Sequence, residues 1–328
     1  MLIFSPQRMN SPRHALGIDI GGTKIAIGVV ASDGRVLASQ TLPTESRRGI
    51  RDATDRVTMA VRQVLQDCGL DCHAMAGIGV GCSGPVNPLS GEINNPHTLP
   101  GWEGWNIVSS LTRTLDLPVW LENDADAAGL GEYYYGSGRG ADRLVMLTVG
   151  TGVGGAVILD GEIYRGVGGE HPELGHMPIS FDGSACYCGR NGCLESLIAG
   201  PAIAAAGRTL GLTDAAAVFA AAAASDARAE QVLAPVRRAV EAAVWNVLHS
   251  FLPARIVLGG GLVEAHPAFF VEAAQAAVNG SRLHPRRVAT IFPAQLGNPA
   301  GMVGAARWAM ARSARLAGPP SISAPQPT

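Results

Sequence analysis

The chain has 328 residues, of which 47% are hydrophobic and 16% charged, with a formal net charge of -2. That length and apolar content exceed what one ordinary core needs, so two lobes are expected. The balanced charge argues against a nucleic-acid partner or a membrane surface, and no apolar run reaches the roughly 18 residues that span a bilayer. The N-terminus lacks the charged and long apolar regions of a signal peptide, which makes a cytoplasmic location with reduced thiols the expectation. Lys24 is the only lysine.

In chain order, residues 1–14 read as a flexible tail. Ala15–Ile20, Ile25–Val30 and Val36–Gln40 then predict three strands in a meander, joined by Gly-Gly-Thr-Lys and Ser-Asp-Gly turns. Helical spacing of Ile50, Ala53, Val57, Val61, Val64 and Leu65 predicts a helix over 50–68. Met75–Gly81 reads as a short buried strand, 105–115 as helix, Pro118–Leu121 as strand and 124–135 as helix, with Asn123 or Asp124 as its cap. A second meander, Leu144–Val149, Gly154–Leu159 and Glu162–Arg165, repeats the opening order roughly 130 residues later. The repetition predicts two lobes of similar topology, each presenting a glycine turn to a shared cleft. Helices follow at 199–209, 213–224 and 229–252, then a strand at Arg255–Leu258. A helix near 267–278, a strand near 287–292 and a helix near 300–315 complete the pattern. The Pro-rich segment 317–328 reads as a second flexible tail.

Several segments carry candidate chemistry. Asp19-Ile-Gly21-Gly22-Thr23-Lys24 follows a strand and precedes another, so it is neither a Walker A loop nor a dinucleotide fingerprint. Its glycines allow backbone N–H groups to approach phosphate, Thr23 adds a hydroxyl, and Asp19 could hold hydrated Mg²⁺; a plain hairpin is the alternative. Gly150, Thr151 and Gly152 form a second such turn, which favours a pair of phosphate-binding hairpins. Gly259 and Gly260 follow a strand and could let a flat base lie on the backbone, although such turns are common. Glu122-Asn123-Asp124 ends a strand. There Asp124 could act as general base in phosphoryl transfer and Asn123 could orient the same hydroxyl; helix capping is the alternative. Ser83 and the Gly84 amide suit polyol recognition, while Cys82 reads as a small packed residue. The aromatic and polar stretch from Asn94 to Trp105 could close over a sugar or simply pack.

The segment from His176 to Glu195 places one imidazole and three thiols within eighteen residues. His176, Cys186, Cys188 and Cys193 are a donor set for a closed tetrahedral zinc site, with Gly189 and Gly192 easing the turn between the last two thiols. A disulfide with a spare thiol is the alternative. Glu173 and Glu195 flank the cluster, so a structural metal could hold two carboxylates and a histidine in place for a ligand.

Together these motifs resemble the ROK family of sugar kinases, within the actin-like, hexokinase-like ATPase superfamily. The resemblance runs from about Ala15 to about Arg312. It rests on the Asp-x-Gly-Gly-Thr-Lys turn, the Glu-Asn-Asp-Ala segment, the Gly-Thr-Gly-x-Gly-Gly turn, the Glu-x-Gly-His pair and the Cys-x-Cys-Gly-x-x-Gly-Cys-x-Glu string, in that order. It implies an α/β, two-lobed actin-like (ribonuclease H-like) fold with a repeated mixed β-sheet flanked by helices. Residues 15–121 with the helix near 300–315 would form the N-terminal lobe, and 122–299 the C-terminal lobe. It also implies an ATP-dependent hexose kinase that phosphorylates the sugar 6-hydroxyl with Mg-ATP and carries a structural Zn²⁺. Asp124 would be the base. Asn123, Glu173, His176 and Glu195 would contact sugar hydroxyls, with Ser83 and Gly84 lining the same pocket. Gly21, Gly22, Thr23 and Gly150 to Gly152 would cradle phosphates, with Asp19, Lys24, Gly259 and Gly260 on the nucleotide side. His176 would serve metal and sugar through its two ring nitrogens. Glucose is the first expected substrate, then N-acetylmannosamine, whose kinases the Asp-Gly-x-x-Cys-x-Cys lead-in resembles, or N-acetylglucosamine. Fructose comes third, on the His171-Pro172-Glu173 wording. A homodimer is a further expectation. The family's sugar-responsive repressors are a distant alternative, because they carry a helix-turn-helix ahead of the first strand and about fourteen residues precede it here.

Overall fold

Strands rich in β-branched residues close the first glycine turn: β1 (His14–Ile20) and β2 (Lys24–Ala31) pair antiparallel from His14↔Ala31 to Ile20↔Ile25. The computed structural model describes residues 14–283 and 289–316. The two expected tails therefore lie outside the described residues, except His14, which opens β1. β3 (Val36–Pro43) completes the meander on β2. The apolar face of α1 (Gly49–Asp67) buries Ala53, Val57, Val61, Val64 and Leu65. β4 (Met75–Cys82) is buried at every position and runs parallel to β1.

Three two-residue strands, β5 (Val86–Asn87), β6 (Glu92–Ile93) and β7 (Trp105–Asn106), then form a small antiparallel sheet. Here Trp102 and Trp105 meet edge to face at 4.9 Å, and Trp102 Nε1 donates to the Ser46 carbonyl at 3.1 Å. Both rings are buried, so the indoles are unavailable to a sugar. α2 (Ile107–Leu115) starts two residues later than the periodicity suggests, because the Asn106 side chain caps it by accepting the Ser109 N–H. β8 (Val119–Asn123) joins β4 in parallel. The finished sheet has the order β3-β2-β1-β4-β8.

α3 (Asp124–Tyr135) follows without a loop. β9 (Arg143–Val149), β10 (Val153–Leu159) and β11 (Glu162–Ile163) form the second meander. β11 stops short of Arg165, whose side chain is engaged with Asp126. Residues 164–193 carry short 3-10 turns and two isolated antiparallel bridges, Pro178↔Cys193 and Ala185↔Asn191. The helices α4 (Leu194–Ile198), α5 (Gly200–Gly207), α6 (Ala215–Ala223) and α7 (Ala227–Phe251) come next. Then come β12 (Arg255–Gly259), α8 (Gly261–Ala265), α9 (Pro267–Gly280), β13 (Thr290–Pro293) and α10 (Ala300–Leu316). The start of the strand expected near 287 falls partly outside the described residues.

The second sheet has the order β11-β10-β9-β12-β13. It repeats the first sheet strand for strand: two antiparallel pairings on one side of β9, two parallel pairings on the other. The described residues separate into two compact units, one of residues 14–124 with 305–316, the other within Ala125–Gly304. Each has its own core. In the first, Leu16, Ile18 and Ile27 pack with Val57, Val61 and Leu111. In the second, Val145, Val157 and Leu258 pack with Val240, Val244 and Phe270. Among the described residues, no helix is long and apolar enough to cross a membrane.

Candidate functional site

In the first unit, parallel pairing brings the carboxyl ends of β1, β4 and β8 level. Ile20 lies opposite Cys82, and Cys82 opposite Asn123. Loops leaving such an edge are where open α/β sheets bind ligands. This edge carries Asp19, the Gly21–Lys24 turn, Ser83, Gly84, Asn123 and Asp124. The Gly21 N–H donates to the Lys24 carbonyl at 2.9 Å and Thr44 Oγ1 to the Gly21 carbonyl at 2.6 Å, while Gly22, Thr23 and Lys24 stay exposed. Ser83 Oγ donates to Asp124 Oδ2 at 2.7 Å, and the Ser83 N–H donates to the Ile20 carbonyl at 2.9 Å. The serine hydroxyl expected to meet a polyol is thus engaged with the candidate base. A Cβ at position 84 would come within 3.0 Å of Asn123 Nδ2, so glycine keeps that amide close.

Burial pushes the Asp19 carboxyl up to about 7, the charge of Asp124 adds to the rise, and Lys24 opposes it. A desolvated carboxyl beside a second carboxylate is relieved by a cation, so these residues fit a divalent ion arriving with a polyphosphate. Burial, with Asp124 and Asp19 nearby, also holds the Cys82 thiol well above its usual range. It stays protonated, as a packed residue should.

In the second unit, Thr148 on β9 lies opposite Gly259 on β12, so the Gly150–Gly152 and Gly259–Gly260 turns leave the same sheet edge. The Gly150 N–H donates to the Gly152 carbonyl at 2.9 Å, and the Gly200 N–H to the Gly150 carbonyl at 2.8 Å. Thr151 and Gly152 are exposed. Glu195, in the first turn of α4, accepts the Val153 N–H on Oε2 at 2.8 Å, and a Cβ on Gly152 would fall 2.7 Å from the same oxygen. The turn and Glu195 are therefore one assembly. Gly260 has φ of 88° and a Cβ there would lie 2.5 Å from the Val149 carbonyl oxygen, so close backbone packing already accounts for that glycine.

Glu173 and His176 bracket a single 3-10 turn, Leu174–His176, in which Leu174 and Gly175 are buried. His176 Nδ1 lies 3.4 Å from Cys186 Sγ, and Cys188 Sγ lies 3.4 Å from Cys193 Sγ. All four donor atoms fall within 4.8 Å of one another. A tetrahedral zinc with Zn–S bonds of about 2.3 Å has S···S edges of about 3.8 Å, so this donor set fits the ion. All six cysteines are free thiols, with none bridged. Gly189 and Gly192 have φ of 91° and 66°, the left-handed turns that the spacing of the last two thiols requires.

The second ring nitrogen of His176, Nε2, lies 3.0 Å from the Tyr187 hydroxyl. Desolvation, then the charges of Glu195 and Glu173, hold that phenol well above its ordinary range. Tyr187 thus shares one neighbourhood with His176, Glu173 and Glu195. Sequence reasoning gave it no role, and its place between two candidate ligands was the available signal. A charged network running from buried Asp126 to exposed Glu173 was missed as well: Asp126 Oδ2 meets Arg165 Nη1 at 2.6 Å and His171 Nδ1 at 3.4 Å, and His171 Nε2 meets Glu173 Oε1 at 3.2 Å.

A family model described as the ROK family matches residues 15–312. A glucokinase from Thermotoga maritima is 31% identical over 309 residues, covering 89% of this chain and 95% of the relative. An N-acetylmannosamine kinase from Escherichia coli is 32% identical over 256 residues, covering 77% and 85%. The solved structure of a ROK family glucokinase from Streptomyces griseus, in complex with glucose and AMPPNP, superposes with a TM-score of 0.75 at 28% identity. It covers 90% of this chain and 98% of its own.

Proposed function

The chain belongs to the ROK family, and from that premise we propose that it is an ATP-dependent hexose kinase whose first substrate is glucose. The observation that carries the reading is the hold on Asp124: the Ser83 hydroxyl bonds its carboxylate at the carboxyl edge of the first sheet. An oriented carboxylate there can take the proton of a sugar hydroxyl as its oxygen attacks the γ-phosphorus of ATP, with ADP leaving. Asn123 would orient that hydroxyl, and the exposed residues of the two turns, Gly22 and Thr23 in one and Thr151 and Gly152 in the other, would offer N–H groups to the phosphates. A Mg²⁺ bound with the nucleotide at Asp19 would screen phosphate charge. Glu173, His176 and Glu195 would bind the remaining sugar hydroxyls, the carboxylates as acceptors and His176 through Nε2, where a Tyr187 hydroxyl already sits.

Zinc at His176, Cys186, Cys188 and Cys193 would be structural, because four protein donors leave no open position. Glucose leads because glucokinases are among the relatives matched along most of their length. N-acetylmannosamine is the second reading, supported by a relative of similar identity. The test is ATP consumption with purified protein across glucose, mannose, fructose, N-acetylmannosamine and N-acetylglucosamine. A kcat/KM for glucose at least tenfold above the others supports the proposal. A preference for an N-acetylated sugar moves the chain to the second reading, and turnover with none of them rejects both.

A further inference from the structure

Glu173 is exposed, and although Leu174 beside it is buried, the segment leading into it has little apolar anchorage: Val167 is 97% exposed and Gly168 and Gly169 both have positive φ. An exposed glutamate in such a loop should sample several rotamers. What restrains it is a line of charged side chains leading inward. His171 Nε2 contacts Glu173 Oε1 at 3.2 Å, and His171 Nδ1 lies 3.4 Å from Asp126 Oδ2. The Asp126 side chain is wholly buried in the first turn of α3, and Arg165 holds the same oxygen at 2.6 Å. Pro172 stiffens the backbone between His171 and Glu173. When His171 is protonated the charges balance: Arg165 pairs with Asp126, and the imidazolium lies between the Asp126 and Glu173 carboxylates.

We propose that His171 is a positioning residue that sets the Glu173 carboxylate for a sugar hydroxyl, with Asp126 and Arg165 as its fixed anchor. This rests on the reading of Glu173 as a sugar ligand. Asp126, the acidic residue two positions beyond the candidate base, then serves the sugar side of the reaction without touching substrate. A purely structural ion cluster would stabilise the loop but would not couple to sugar affinity through Glu173.

Four variants separate these cases: His171→Asn, whose amide can keep the Asp126 contact but cannot reach Glu173; His171→Gln, whose amide nitrogen stands in for Nε2; Glu173→Gln; and the double variant His171→Asn with Glu173→Gln. Glucose KM, ATP KM and kcat are measured for each, with folding checked by circular dichroism. His171→Asn should raise glucose KM about tenfold, with kcat and ATP KM within about twofold, and His171→Gln should recover most of that loss. Glu173→Gln should raise glucose KM at least as much, and the double variant should be no worse than Glu173→Gln alone. An unchanged glucose KM in folded His171→Asn, or multiplicative effects in the double variant, overturns the inference and leaves the Glu173 reading standing. An unchanged KM in Glu173→Gln overturns both. If His171→Asn fails to fold, His171→Gln decides: it supports the proposal if its glucose KM stays within threefold of wild type while Glu173→Gln shows the rise, and a rise of tenfold or more in His171→Gln overturns it.

Discussion

Replacing Cys188 by serine probes what the His/Cys cluster does. Cys188 Sγ lies 3.4 Å from Cys193 Sγ, and a hydroxyl is a poor zinc ligand. Residues 177–191 include no fully buried side chain, and only Met177 and Ile179 pack in part against the second core, so apolar burial alone cannot order the loop. Fixing those backbones costs on the order of 1–2 kcal/mol per residue, more than ten in all. The loop's few backbone bonds, such as Ile179 N–H to the Gly192 carbonyl and Cys186 N–H to the Arg190 carbonyl, each return about 1 kcal/mol net. Structural zinc binding, about 10–16 kcal/mol in small peptides, is the one contribution of the right size. Cys188→Ser should therefore lose zinc and expose the amides of 177–193 to exchange while α7 and β9 stay protected. Glucose KM should rise more than tenfold, with ATP KM within about threefold. Elemental analysis, hydrogen exchange and steady-state kinetics read these out together. A variant with full zinc content and unchanged glucose KM refutes the reasoning, as does a metal-free wild-type chain with full activity.

Three further outcomes follow from single contacts. Ser83→Ala removes a hydrogen bond to a charged carboxylate, worth about 1.5–3 kcal/mol, so kcat should fall by at least roughly tenfold while glucose KM stays within about threefold. A rise in KM alone would return Ser83 to direct sugar contact. Gly152→Val places a Cβ 2.7 Å from Glu195 Oε2, so it should raise the KM of glucose as well as of ATP, whereas Gly21→Val should affect ATP selectively; an ATP-only effect of Gly152→Val would contradict the shared assembly. Finally, burial lowers the pKa of His171, but the Glu173 hydrogen bond and the Asp126 and Glu173 charges outweigh it and Arg165, and the net shift is upward. Its stabilisation should be complete below the unfolded value of about 6.5 and disappear as pH rises through the folded value. The Tm gap between wild type and His171→Gln should therefore shrink from pH 6 to pH 9, and a constant gap would contradict the ion network.

Local pattern carried much of the fold. The bounds of α3 match the expected 124–135, and the two meanders appear because glycine turns and alternating apolar runs are local signals. β5, β6 and β7 left no such signal, since strands of two residues have no period to read. The His/Cys cluster was legible as a string because its three thiols lie within eight residues. The Asp126 network was not: its members come together across 39 residues between Asp126 and Arg165, and a lone aspartate in a helix looks like a solvated one. For Ser83, sequence shows that a hydroxyl is available near the sugar pocket but not its protein partner, a carboxylate 41 residues on.

The most direct test of the account is Asp124→Asn, assayed for phosphoryl transfer and for sugar binding on one preparation. Asparagine keeps the shape and can still accept the Ser83 hydroxyl but cannot take up a proton at neutral pH. The account predicts that formation of sugar 6-phosphate falls by about 10²–10⁴ while glucose binding by calorimetry changes less than about threefold. Turnover near that of wild type would contradict Asp124 as the base, and with it the mechanism proposed for this chain.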